Sequence, residues 1–127
     1  MEINIKAMQF DLLENRFTLL AQGKGTLEGS TLIYRELADP AVRNEITFSD
    51  EGIILKRIAD IRSTTVLKQG GRASASVRSP YGDMVLETEL VGCRKDRGRW
   101  EAEYKIYSGP QLVTHQKFVW ELSDIFD

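Results

Sequence analysis

The chain has 127 residues and a mass of 14.4 kDa, enough for one domain with one core. A net charge of −2 and a pI near 5.5 exclude an overall pull towards nucleic acid or anionic membrane. The single cysteine, Cys93, excludes an internal disulfide and suits a reducing compartment, and no apolar run reaches the roughly 18–20 residues of a membrane-spanning helix. The opening Met-Glu-Ile-Asn-Ile-Lys carries an early acid and no apolar segment, so no signal peptide is read and the cytoplasm is the expected location.

Residues 2–7 alternate, with Ile3, Ile5 and Ala7 against Glu2, Asn4 and Lys6, as a half-buried strand does. The next stretch is ambiguous. Met8, Leu12, Leu13, Phe17 and Leu20 stand at helical spacings, yet Glu14-Asn15 is a turn signal, and strand–turn–strand is the reading adopted. Gly23-Lys24-Gly25 to Gly29 reads as a loop or a bulged strand end. Thr31 to Leu37 reads as a strand with Leu32, Tyr34 and Glu36 on one face, closed by Asp39-Pro40. Arg43–Phe48 and Ile53–Ile58 form a hairpin across Ser49-Asp-Glu-Gly52, and Arg62–Leu67 and Ala73–Ser79 form another across Gln69-Gly70-Gly71. Ser79-Pro-Tyr-Gly82 is a tight turn.

The clearest hairpin follows. Met84, Leu86, Thr88 and Leu90 share one face, and Trp100, Ala102, Tyr104 and Ile106 share one face of the next strand. A three-residue turn, Asp96-Arg97-Gly98, would pair Lys95 with Arg99, Glu89 with Lys105 and Leu90 with Tyr104. Slipping the register by two sets Glu89 against Glu103, a like-charge pair costing roughly 0.2–1 kcal/mol. The last strand, Gln111–Leu122, places Leu112, Phe118, Trp120 and Leu122 on one face, interrupted by Thr114 and Gln116, and 123–127 reads as a short tail. Roughly eight to ten strands joined by hairpin-length turns define an all-β chain. The architecture expected is a single antiparallel up-and-down barrel over residues 1–127 with its core between about 3 and 122.

Several features resemble one family. Tyr34-Arg-Glu36 after a glycine-rich strand, Arg57 ending an apolar strand, the Ser79-Pro-Tyr-Gly82 turn, Thr88 and Tyr104 are similar in order and spacing to the YwiB-like family of small uncharacterised bacterial proteins. The resemblance runs from about Ile3 to Leu122 and implies a calycin-like, lipocalin-like barrel with no established activity. The family pattern has a glycine shortly after the arginine corresponding to Arg57. Here Ala59-Asp60 stands instead, which puts the local backbone in question.

The chemistry-bearing residues are few. Gly23-Lys24-Gly25-Thr26 lacks the earlier glycine and the Ser/Thr after the lysine that a phosphate-binding loop needs. One histidine, His115, and one cysteine cannot assemble a zinc site, and no cofactor is expected. Cys93 lies among Arg94, Lys95 and Arg97, cations that favour a thiolate, but it reads as an incidental strand-end cysteine. The basic tip Arg94, Lys95, Arg97, Arg99 has no interleaved exposed aromatics, since Trp100 faces the apolar side, which argues against nucleic acid. No nucleophile–base or paired-carboxylate spacing emerges, so the chain is read as non-enzymatic. Glu36 and Arg57 share faces with apolar residues. They either pair inside the barrel, anchor a ligand, or reach water at its rim. The expected function is binding of a small, partly apolar or anionic ligand in the lumen by Tyr34, Glu36, Arg57, Trp100, Tyr104 and Trp120. The alternative is a packed barrel presenting loops to a protein or nucleic-acid partner.

Overall fold

The structure, a computed structural model, describes residues 1–125. Ten strands follow in chain order: β1 (Glu2–Asp11), β2 (Arg16–Glu28), β3 (Thr31–Arg35), β4 (Arg43–Ser49), β5 (Gly52–Ile58), β6 (Arg62–Lys68), β7 (Arg72–Ser79), β8 (Gly82–Lys95), β9 (Arg99–Ser108) and β10 (Gln111–Ser123). Each pairs antiparallel with its sequence neighbours, and β10 pairs with β1 through Asn4 opposite Ser123 to Asp11 opposite Gln116. The result is a closed up-and-down barrel. Closure gives the edge backbone of β1 and β10 partners in each other. Among the described residues no helix is long and apolar enough to cross a membrane. The expected tail begins within β10 at Ser123, and its last two positions, 126 and 127, lie outside the described residues.

The ambiguous stretch is a hairpin. Asp11 caps its turn, one Oδ1 accepting the backbone N–H groups of Leu13 (3.0 Å) and Glu14 (3.1 Å), and Asn15 supplies the left-handed residue at φ 55°. Residues 17–22 alternate only weakly in the sequence, and the strand pairing shows why. Ala7 pairs with Ala21 but Met8 with Leu19, so Leu20 is an extra residue in a bulge that changes the parity of β2. Gly29 (φ 60°) turns the chain into β3, which ends at Arg35, two residues short of the expected Leu37. The Ala59-Asp60 segment makes its turn without a left-handed residue, so the missing family glycine leaves no strain there.

The central hairpin keeps the expected register only on one side of a bulge. Glu89 faces Lys105 and Leu90 faces Tyr104, but Val91 is extra, and beyond it Gly92 meets Glu103 and Lys95 meets Trp100. Lys95 therefore does not pair with Arg99. Instead the Asp96 N–H donates to the Arg99 carbonyl at 2.9 Å, and the ammonium of Lys95 sits 4.8 Å from the centroid of the Trp100 ring. A third bulge, at Val113, sets Leu112 opposite Tyr107, which takes it off the Trp120 face assigned to it.

Alternate turns share an end of an up-and-down barrel. Turns at 29–30, 50–51, 69–71 and 96–98 mark one end, where Leu32, Phe48, Ile53, Leu67 and Trp100 are buried and form one core. Phe48 packs on Trp100 (centroids 4.9 Å apart) and edge-on to Trp120 (5.9 Å). Space for these rings comes from Ala7, Ala21 and Ala102, each at most 3% exposed, with Ala7 directly across from Trp120. On β8 only Thr88 is fully buried. Its hydroxyl donates to the Val66 carbonyl, which β7 leaves unpaired because its ladder with β6 ends at Thr65–Ala75. Met84, on the same face by alternation, stands 51% exposed at the opposite rim.

A cup at one end of the barrel

The other end, where the turns at 12–15, 59–61, 80–81 and 109–110 and the 36–42 loop lie, is not filled. A cavity of about 300 Å³ opens there, lined among others by Gln9, Tyr34, Glu36, Arg57, Tyr104, Gln116, Phe118 and Trp120. Five of the six residues expected at a lumen site converge on it. Trp100 does not: it belongs to the packed end. Alternation assigns a face of a strand but says nothing about height along the barrel axis, and Trp100 lies at the start of β9, beside the closed rim.

One wall is aromatic. Tyr104, Phe118 and Trp120 form a stacked series, with centroids 6.0 Å apart at 0° and 5.5 Å apart at 7°. Cross-strand geometry sets this up, since Phe118 faces Ala102 and its ring can spread towards both neighbours. The indole N–H of Trp120 donates to the Tyr34 hydroxyl at 2.9 Å. Burial pushes the phenols of Tyr34 and Tyr104 well above their ordinary value of 10.0, so both rings are neutral walls.

The other wall is polar. Glu36, on the inward face after Leu32 and Tyr34, is 8% exposed. It accepts Arg57 Nε–H on Oε2 at 2.8 Å, Arg57 Nη2–H on Oε1 at 3.0 Å, and Asn44 Nδ2–H on Oε2 at 2.8 Å. Burial alone would raise this carboxyl, but the bonds from Arg57 and Asn44 and the charge of Arg57 hold it below its ordinary 4.5. The Arg57 side chain is 48% exposed, so the pair spans the rim: carboxylate inside, guanidinium half in water. Of the readings left open by the sequence, two meet here: the residues pair with each other, and they do so at the rim, where Arg57 reaches water. Arg57 Nη1 takes no part in the pair.

Sequence reasoning missed Gln9, Asn44, Gln116 and Phe118. In the sequence Gln116 interrupts an apolar face. In the cup its Oε1 accepts from Gln9 Nε2 at 2.8 Å and from the Tyr104 hydroxyl at 3.3 Å. Asn44 keeps inward parity with Ile46 and Phe48, a signal that was there to be read. The remaining candidates lie elsewhere. His115 points outward to Glu103, 2.9 Å from Nε2 to Oε2, and Cys93 is exposed, its Sγ accepting from Gln69 Nε2 at 3.0 Å. Two of the four cations of the basic tip are ion-paired, Arg94 with Asp96 and Arg99 with Glu101 (3.4 Å), and Lys95 lies over the Trp100 ring. Among the described residues no group of three or more His, Cys, Asp or Glu side chains could hold a metal ion.

Fold and site together define a class: a closed ten-stranded antiparallel barrel, packed at one end and open as a small cup at the other. The chain belongs to the family described as a domain of unknown function, DUF1934, whose model matches residues 3–118. Its fold is similar to the crystal structure of the YwiB protein from Bacillus subtilis, at a TM-score of 0.57 and 12% identity over 94% of this chain and 89% of that one. The resemblance to the YwiB-like family, read from about Ile3 to Leu122, is thus met in both family and fold. No curated protein matches the sequence.

Proposed function

We propose that this chain is a non-catalytic binding protein of calycin-like design whose cup takes a small, partly apolar ligand. The observation that supports this is the unequal filling of the lumen. Among the described residues eighteen hydrophobic side chains are buried, yet about 300 Å³ stays open at one end, at the lower bound of ordinary small-molecule sites. The stacked rings of Tyr104, Phe118 and Trp120 supply an apolar wall, while Gln9, Gln116 and Arg57 Nη1, which the Glu36 pair leaves unused, supply polar anchors. Arg57 is already engaged by Glu36, so an acidic group on the ligand would meet only its unshared edge. No titratable group in the cup is poised with a free base, which favours binding over chemistry. The exposed, unpaired Cys93 fits a reducing, cytoplasmic setting.

Native mass spectrometry of protein purified from its own host tests the reading. Retained small-molecule mass, lost on replacing Phe118 by Arg, is expected; a bare protein that also fails to bind an apolar fluorescent probe at the cup overturns it. A second reading, an interaction module, is favoured by the rim. Leu12, Leu13, Phe17, Leu37, Ile61 and Tyr81, each more than 40% exposed, all stand at the open end. Binding of a protein partner with no small molecule retained would select it.

A further inference from the structure

The barrel wall has a breach, distinct from the cup. The ladder between β2 and β3 holds only Thr26–Ile33, Leu27–Leu32 and Glu28–Thr31, and contact resumes only where the Leu37 N–H donates to the Leu20 carbonyl at 2.8 Å. Between these points Ala21–Gly25 and Tyr34–Glu36 part, leaving a fissure of about 460 Å³. Its floor includes Ile5, Ala21 and Tyr34; its mouth carries Lys24, Arg35 and Arg43 with one acid, Glu28.

The cations here are unusual in three respects. Arg35 and Arg43 stand directly opposite each other across β3 and β4, an arrangement unfavourable without a counter-charge. Neither Lys24 nor Arg35 has a carboxylate partner among the described residues; Arg35 Nη1 donates only to the Pro40 carbonyl at 3.1 Å. Arg43 donates to Glu45 through Nη2 at 2.8 Å, but its Nε–H is the one buried side-chain polar atom without a partner among the described residues. Two glycines border the opening, one closely packed and one open. A Cβ on Gly25 would meet Ile5 Cδ1 and lie 2.8 Å from the Ile33 carbonyl oxygen, and Gly23, at φ 146°, faces open space. A hydrophilic anion seated there would neutralise the opposed arginines and take charge-assisted hydrogen bonds from their exposed guanidinium edges.

We infer that the β2–β3 fissure is an anion-binding site for a phosphate or carboxylate group, held by Arg43 and Arg35 with Lys24 at its mouth. It stands independently of the cup, with Tyr34 as the partition between them. The test is titration of the full chain with inorganic phosphate and pyrophosphate at constant ionic strength, followed by amide NMR. Saturable shifts confined to 21–26, 33–35 and 43 are expected. Arg43→Gln should weaken binding by about tenfold, the loss that follows removal of one charge-assisted contact. Lys24→Gln, at an exposed position, should weaken it severalfold without moving the melting temperature, which keeps the result readable if Arg43→Gln unfolds. Three outcomes overturn the inference: shifts spread equally over Arg78 and Arg94, affinity unchanged in both variants, or binding to phosphatidylglycerol vesicles with none to phosphate or pyrophosphate. The last would mark general attraction to an anionic surface.

Discussion

Trp120 and Tyr34, 86 positions apart, are joined by one hydrogen bond, indole N–H to phenol oxygen at 2.9 Å, and that bond forms the boundary between the packed and open halves of the barrel. Both partners are at most 3% exposed, so neither can turn to water if the other is lost. Tyr34→Phe should therefore cost about 1–3 kcal/mol, the penalty for leaving a buried donor unpaired. Chemical denaturation measures it, and a loss below about 0.5 kcal/mol would mean that water or a neighbour replaces the phenol oxygen.

Alkaline stability follows from the same rings. The phenols of Tyr34 and Tyr104 are raised by burial, so folding favours their neutral form. Their contribution is complete below the unfolded value near 10.0 and is lost as pH rises towards the folded value. Stability should fall above pH 10 with a slope that flattens in Tyr104→Phe. An unchanged slope in that variant would assign the alkaline limb to other groups.

Glu36 contributes to the acid limb. Its folded value is depressed, so its contribution is present above the ordinary 4.5 and disappears as pH falls through the folded value. Arg57→Ala leaves a buried carboxylate with Asn44 alone, which should raise the Glu36 pKa and move the acid limb to higher pH. Because the guanidinium is half exposed, the neutral-pH cost should be modest, about 1–2 kcal/mol. Carboxyl-carbon NMR titration of Glu36 reads the shift directly.

Trp100 separates structure from site. Trp100→Ala should cost about 3–5 kcal/mol, as for a large buried ring. The milder Trp100→Phe should leave occupancy of the cup by an apolar fluorescent probe unchanged, whereas Phe118→Ala should alter it. Equal effects of the two on probe binding would contradict the division of the lumen.

Gly52 tests the turn chemistry. It has φ 155°, and a Cβ there would lie 1.9 Å from the Leu67 carbonyl oxygen, so Gly52→Ala should destabilise by more than about 2 kcal/mol. Gly82, at φ 130° with nothing within 4 Å, should lose only about 1 kcal/mol on the same change. Paired thermal melts compare them.

How far the sequence could be read depended on whether a feature was periodic. The strands, the hairpin turns and the Glu89–Lys105 register follow from alternation, glycine placement and charge. The bulges at Val91 and Val113 do not, because one extra residue leaves no compositional trace and is stabilised by ladders on both sides, and the one at Leu20 shows only as weak alternation over 17–22. Each bulge then misdirects whatever lies beyond it, as with Lys95 and Leu112. At the cup, Tyr34, Glu36, Arg57, Tyr104 and Trp120 were visible as inward residues of polar or aromatic type. Gln116 and Asn44 were missed because a polar residue on an inward face looks like noise until a partner across the lumen is known.

The order of the strands also bears on how the barrel forms. Nine of its ten pairings join strands adjacent in the chain and can zip from their own turns, at little loop-closure cost. The tenth, β1 to β10, must bring together segments from opposite ends of the sequence before it returns any hydrogen bond. Trp120 lies on that seam, opposite Ala7, so the ring that divides the lumen is docked by the same step that closes the cylinder. The floor of the cup comes into being when the ring of strands is sealed, and an unsealed sheet would have neither.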